Sequence, residues 1–260
     1  MAHAVSVCDV LRALDVAARL GPTAVLVRAY DGRRWVVDIV ADGRALLGFL
    51  PSSVVRELPR LEKQGEKFEG KIGDLYVSAE VVLVRPTLVV VGFGEVAKKV
   101  SQVAVAAGFN VVAIGHRSEA AQHSGGLEEL GDFLWEGSAV VIANEGGHLS
   151  DVDVAELALR RGAGYVALLA SQKRAALVIR ELERRGIPPA EIDKRLRSPA
   201  GLDIGAKTAG EIAVSIVAEV VMYFRGGTGK PMREVKNPRS VALSEGEDLS
   251  KYRCEWRPPS

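Results

Sequence analysis

The sequence is poor in the features that would assign its chemistry at sight. It has two cysteines in 260 residues. Cys8 and Cys254 stand near opposite ends, in no C-x-x-C or other metal-ligand spacing. That excludes a disulfide framework or a thiolate metal site as the basis of the fold. The pair could bridge if the ends meet, but two idle thiols of a cytoplasmic protein are the expected state. Neither sign of charge is in excess. The 34 lysines and arginines balance 33 aspartates and glutamates, so no global field selects nucleic acid or an acidic partner. Long apolar runs are missing as well. The stretch 212–224 is interrupted by Glu219 and is too short to span a bilayer. Asp9, Arg12 and Asp15 break the apolar pattern at the start, which does not read as a signal peptide. There is no G-x-S-x-G elbow, no H-E-x-x-H and no G-x-x-x-x-G-K-[ST] loop. The stretch Arg225–Pro231 is similar to a phosphate loop only in its glycines, lacking the first glycine and the closing Ser or Thr.

What is present is a glycine turn in a telling place. The apolar, β-branched run 87–91 enters Gly92-Phe93-Gly94-Glu95-Val96-Ala97, a G-x-G-x-x-A pattern, and an alanine-rich helical stretch follows to about 107. This is the strand–turn–helix context of a dinucleotide fingerprint. Gly92 allows the tight turn, Gly94 lets a phosphate approach the backbone, and Ala97 lets helix and strand pack closely. The helix start would present free N–H groups and partial positive charge to the phosphates.

Around this turn the pattern divides the chain. An amphipathic helix over 9–18 ends near Gly21-Pro22. Strands are expected at 24–30, 35–40 and 45–50, with turns at Asp31-Gly32 and Asp42-Gly43. A helix over 52–63 and strands at 67–72 and 75–84 complete a small α+β domain, residues 1–84. After Arg85-Pro86 strands and helices alternate, as a parallel sheet demands. Strands are expected at 88–91, 110–114, 138–143 and 164–170, with helices over 96–107, 151–161, 172–185, 190–196 and from 208 onward. The fold class is therefore α/β, a Rossmann-like parallel sheet over 85–225 behind a small α+β domain, with a C-terminal tail over 226–260.

Four stretches are candidates for chemistry. Beside Gly92, Phe93, Gly94 and Glu95, the second strand ends in Gly115-His116-Arg117-Ser118, where NAD-binding folds place a carboxylate. Arg117 suits a 2′-phosphate instead, favouring NADP over NAD, or is an ordinary surface arginine; His116 is expected to face solvent. Glu145, His148 and Asp151, in the loop 144–151, are candidates for ligand contact or proton transfer; alternatively Ser150 or Asp151 caps the next helix. Ser171, Lys173 and Arg174 open another helix. Two cations there are unfavourable unless an anion binds. Asp203, in the glycine-bounded loop 198–208, could cap, bind a ligand or hold its turn. Thr208 and Glu211 read as a capping box.

Together these stretches resemble the XdhC/CoxI family of xanthine dehydrogenase accessory proteins. The match lies in Gly164–Arg174, Gly186-Ile187-Pro188, Ser198–Thr208 with its G-L-D-I-G-A core, Glu211–Glu219 and Arg225–Gly229. The resemblance implies a Rossmann domain that binds molybdenum cofactor, protects it, helps its sulfuration and assists insertion into a molybdenum hydroxylase apo-enzyme. It implies a chaperone-like accessory role, a cysteine desulfurase as a further partner and a homo-oligomeric state. The chain departs from the family in several motifs. The family's G-A-G-H turn is here Gly92-Phe93-Gly94-Glu95, and its T-H-D-H stretch is Asn144–His148. The cysteines of its N-terminal S-G-G-C-V-E and C-G-G-E motifs are missing from Gly48–Val54 and Lys71–Ser78. An NADP-linked oxidoreductase is the alternative, though no Tyr-Lys or His-Asp catalytic set is evident; a nucleotide-sensing or structural protein with a degenerate site is another.

Overall fold

The computed structural model describes residues 6–20, 23–61, 63–146 and 150–241. Contacts divide the chain into two units, 1–227 and 228–260. The first begins with α1 (Val7–Leu20), β1 (Thr23–Tyr30), β2 (Trp35–Ala41), β3 (Arg44–Ala45), α2 (Ser52–Glu57), β4 (Lys67–Ile72) and β5 (Leu75–Leu83). The five strands form one antiparallel sheet in the order β3-β2-β1-β5-β4. Alternating side chains give it two apolar faces. Val27, Ala29, Val77 and Ala79 pack with Val54 of α2, while Ala24 and Ile39 pack with Ala13 and Ala17 of α1.

Two expected elements are shorter than their patterns. The strand expected over 45–50 stops at Ala45. The carboxylate of buried Asp38 takes the N–H groups of Leu47, Phe49 and Leu50 at 2.8, 2.8 and 3.1 Å, withdrawing them from strand pairing. The helix expected to 63 ends at Glu57. Leu58 precedes Pro59 and is extended, φ −59° and ψ 133°, because the proline ring disfavours helical backbone before it.

Beyond Arg85-Pro86 come β6 (Thr87–Val91), α3 (Glu95–Ala106), β7 (Asn110–Ile114), β8 (His123–Gly125) and a 3-10 segment over Leu127–Phe133. β9 (Ala139–Ile142), α4 (Ser150–Arg160), β10 (Tyr165–Leu168), α5 (Gln172–Arg184), α6 (Pro189–Arg195), β11 (Leu196–Arg197) and α7 (Ala209–Arg225) follow. All six strands are parallel, in the order β8-β7-β6-β9-β10-β11. Counted from β6 this is 3-2-1-4-5-6, the Rossmann order. Every residue of β6, β7, β9 and β10 is buried, as in a sheet covered on both faces. Val89, Val91 and Ile142 meet α4 and α5 through Val154, Ala158, Val178 and Leu182. Leu88, Val90 and Val141 meet α3 and α7 through Val96, Val100, Ile216 and Val220. Within the second unit, α8 (Met232–Val235) precedes a 3-10 turn at Pro238–Ser240. No described helix is long and apolar enough to cross a membrane.

α1 joins the two sheets. Its Ala13 and Ala17 serve the antiparallel sheet, while Leu11 enters the Rossmann core. Asp15, 1% exposed, accepts from Thr87 N–H at 3.0 Å, Trp135 Nε1–H at 3.2 Å and Arg19 Nη2 at 3.1 Å. Arg19 also donates to the Gly137 carbonyl. Thr87 opens β6 and Gly137 lies just before β9, so α1 is fastened to the amino ends of the parallel strands. Asp15→Ala would strand two buried N–H donors. It should lower unfolding free energy by about 3 kcal/mol in urea melts followed by tryptophan fluorescence; a loss of less than about 1 kcal/mol would show that the joint is dispensable.

Candidate functional site at the carboxyl edge

Because all six strands run the same way, the loops leaving β6, β7, β9, β10 and β11 share one edge. Their chain continuations part between β6 and β9, so that pair is the switch point where open α/β sheets bind ligands. Gly92 sits there. A Cβ on it would lie 2.6 Å from the Ala143 carbonyl oxygen and 2.8 Å from Ala97 Cβ. Glycine and a small neighbour are both required, as the pattern foretold.

The turn is held from β9. Phe93 N–H donates to Asn144 Oδ1 at 3.1 Å, and Val96 N–H donates to Glu145 Oε1 at 2.6 Å. Gly94, the N-cap of α3, has no side chain with which to cap; Glu145 supplies the acceptor that a cap residue would. Asn144 is buried and passes its amide to Asp151 Oδ1 at 2.6 Å. Asp151 is buried in turn and ion-paired with Arg174, whose pKa is lowered by burial. Arg174, a candidate for holding an anion, thus has its charge balanced inside the protein. Asn144 was not among the candidates; an asparagine directly after a fully buried strand, at the ligand edge, was the available signal.

His116 is a correction. It was expected to face solvent but is 9% exposed. Its Nδ1 lies 3.0 Å from the Gly92 carbonyl oxygen and its Nε2 2.8 Å from Ser101 Oγ. A carbonyl only accepts, so Nδ1 carries the proton and Nε2 accepts from the hydroxyl, both satisfied by a neutral ring. Burial lowers its pKa, and the charge of Lys98 acts in the same sense. The sequence pattern showed a polar residue after the strand but not that the glycine turn needed a donor behind it.

The other candidates separate. The Phe93 ring, half-exposed, lies over Gly115, where a Cβ would come 2.7 Å from Phe93 Cε1 and where φ is +83°. It covers the end of β7, at which dinucleotide folds hold a ribose. Arg117 is exposed just beyond it. Glu95 is exposed and lies 3.7 Å from Lys99. Ser171 caps α5, accepting from Arg174 N–H at 3.3 Å, and Lys173 is exposed. His148 lies outside the described residues. Asp203 and Ile204 are exposed on the loop 198–208, which is firmly anchored. After a cis Ser198–Pro199 peptide, Ala200 N–H donates to the Leu168 carbonyl at 3.1 Å and Gly201 N–H to Glu219 Oε2 at 2.9 Å. Tyr165 donates to the same Glu219 oxygen at 2.9 Å, and burial with that charge raises its pKa. The Thr208–Glu211 capping box closes the loop as expected. Among the described residues, no group of three or more His, Cys, Asp or Glu is placed to hold a metal ion.

The family described as the XdhC Rossmann domain matches residues 88–220, from β6 into α7 and including both the glycine turn and the 198–208 loop. The chain belongs to the XdhC Rossmann-domain family. Another relative is the uncharacterized protein YqeB of Escherichia coli (strain K12), 26% identical over 185 residues. That alignment covers 66% of this chain and 33% of YqeB, so the chain spans about a third of that curated relative's length. Among solved structures it is similar to a crystal structure described as a xanthine dehydrogenase from Bacillus halodurans. The TM-score is 0.50 at 19% identity, covering 88% of this chain and 68% of the other. That likeness concerns the fold.

Two of the N–H groups that would face a phosphate already have acceptors, and Glu145 places a carboxylate beside them. In this arrangement the turn does not fit a nucleotide pyrophosphate or a pterin phosphate.

His116 makes stability depend on pH. Above about pH 6.5 the ring is neutral folded or unfolded; below it the unfolded chain takes up a proton that the buried ring resists. Stability should therefore fall on acidification, by up to about 1.4 kcal/mol per pH unit from this group. Thermal melts between pH 7.5 and 5.5 should show a shallower decline for His116→Gln. Parallel profiles for the two proteins would exclude His116 as the titrating group.

Proposed function

We propose that this protein is a non-catalytic accessory factor of a molybdenum hydroxylase system, a divergent XdhC/CoxI-type member that holds molybdenum cofactor at the carboxyl edge. The loop 198–208 carries the reading. It lies inside the family match, is hydrogen-bonded in place at both ends, and still presents Asp203 and Ile204 outward. A loop held this firmly with its apex exposed suits recognition better than packing. Ser171, Lys173 and Arg117 are exposed on the same edge, and the two cations suit an anionic pterin phosphate through charge-assisted contacts. Since the glycine turn does not fit the phosphate, the α5 start with Lys173 is its proposed seat. When bound, the cofactor supplies redox chemistry to the client enzyme; this chain's residues bind, orient and shield it. The proposed partners are a molybdenum hydroxylase apo-enzyme, a cysteine desulfurase that sulfurates the cofactor, and a second copy of the chain.

NADP is the weaker alternative. The Phe93 ring covers the ribose position and Glu145 stands at the pyrophosphate position, leaving exposed Arg117 as its support.

Protein purified from a cofactor-producing host should release a pterin identifiable by fluorescence and mass spectrometry. Added to a cofactor-deficient hydroxylase it should raise activity without consuming NADPH. Lys173→Ala should weaken retention of the pterin by about tenfold. Release of a nucleotide in its place, or sustained NADPH turnover with a small carbonyl acceptor, would overturn the reading.

A further inference from the structure

We infer that Glu145 is a specificity determinant that closes the glycine turn to phosphate. In a Rossmann turn the second glycine leaves room for the pyrophosphate to approach the backbone. Here that room is in use. A Cβ built on Gly94 would stand 3.1 Å from both Cδ and Oε2 of Glu145, so the carboxylate lies directly against the glycine. Its other oxygen accepts the Val96 N–H at 2.6 Å. One internal anion therefore takes the volume, the hydrogen bond and the favourable dipole end that a ligand phosphate would need.

The two residues that hold the turn differ in how easily they can be replaced. Asn144 is 4% exposed and is fixed through buried Asp151 to Arg174. It keeps the turn in shape. Glu145 is exposed, so substituting it removes an anion from the turn without opening the core. A phosphate entering while Glu145 stays would meet a like charge at contact distance and would find the Val96 donor engaged. The chain thus retains the glycine geometry of a nucleotide site and discriminates against the anion that such sites take. This goes beyond the accessory-factor reading and stands whichever ligand the Lys173 side accepts.

The test measures binding of inorganic pyrophosphate, ADP and NADPH to the full chain by calorimetry. The wild type should show no saturation up to millimolar concentrations. Glu145→Ala should gain affinity for all three by at least about tenfold, and adding Gly94→Val should abolish the gain. Glu145→Gln keeps an acceptor for Val96 N–H and nearly the same volume while removing the charge. It should fold like the wild type and gain severalfold. A folded Glu145→Gln protein with no gain overturns the inference, whatever Glu145→Ala does. So does micromolar NADPH binding by the wild type that Gly94→Val removes.

Discussion

At the centre of the carboxyl edge, β6, β9 and α3 meet with no space for a single Cβ. Gly92 is the contact point, hemmed by the Ala143 carbonyl and the Ala97 methyl. This approach brings the end of β9 under the glycine turn, so that consecutive side chains, Asn144 and Glu145, reach two backbone donors of the turn. It also exposes the Gly92 carbonyl on the other side, where His116 donates to it. A larger residue at position 92 would push these partners out of hydrogen-bond range together.

Behind the turn runs a buried polar chain, from Arg174 through Asp151 and Asn144 to the Phe93 N–H. Such a chain is costly to bury unless each member is satisfied, and satisfied it rigidifies what it touches. It links the starts of α4 and α5 to the glycine turn. The loop 198–208 is fixed by separate means, through Glu219, Ser215 and the Leu168 carbonyl. Rigid positioning at this edge therefore has two independent sources, and the exposed Asp203, Lys173 and Phe93 are carried on them.

The parallel sheet was readable because its strands are buried on both faces and so appear as apolar runs, with glycine and alanine where backbones converge. The Thr208–Glu211 cap and the Ser171 cap were readable because capping is local. β8 and β11, three and two residues long, carry no periodic signal; their pairing depends on neighbours set elsewhere in the chain. The same limit hid the roles of His116 and Arg174. Both have the residue type expected at a ligand edge, and their inward orientation is decided by partners 24 and 23 positions away, Gly92 and Asp151. Asp38 is the clearest case of a long-range competitor, since its carboxylate collects donors nine to twelve positions on and ends a strand that its local pattern favoured.

α1 precedes in the chain everything that it packs against, and its two sides are covered at different times. Its Ala13 and Ala17 side can be sealed once β1, β2 and β5 exist. The other side must wait: the partners of Asp15 lie 72 and 120 positions further along, at Thr87 and Trp135. At about 5–20 residues per second the second partner arrives on the order of ten seconds later. Between the completion of β5 at Leu83 and the arrival of Trp135, a nascent chain can hold this helix docked on one sheet while Asp15 and Leu11 still lack their partners from the second.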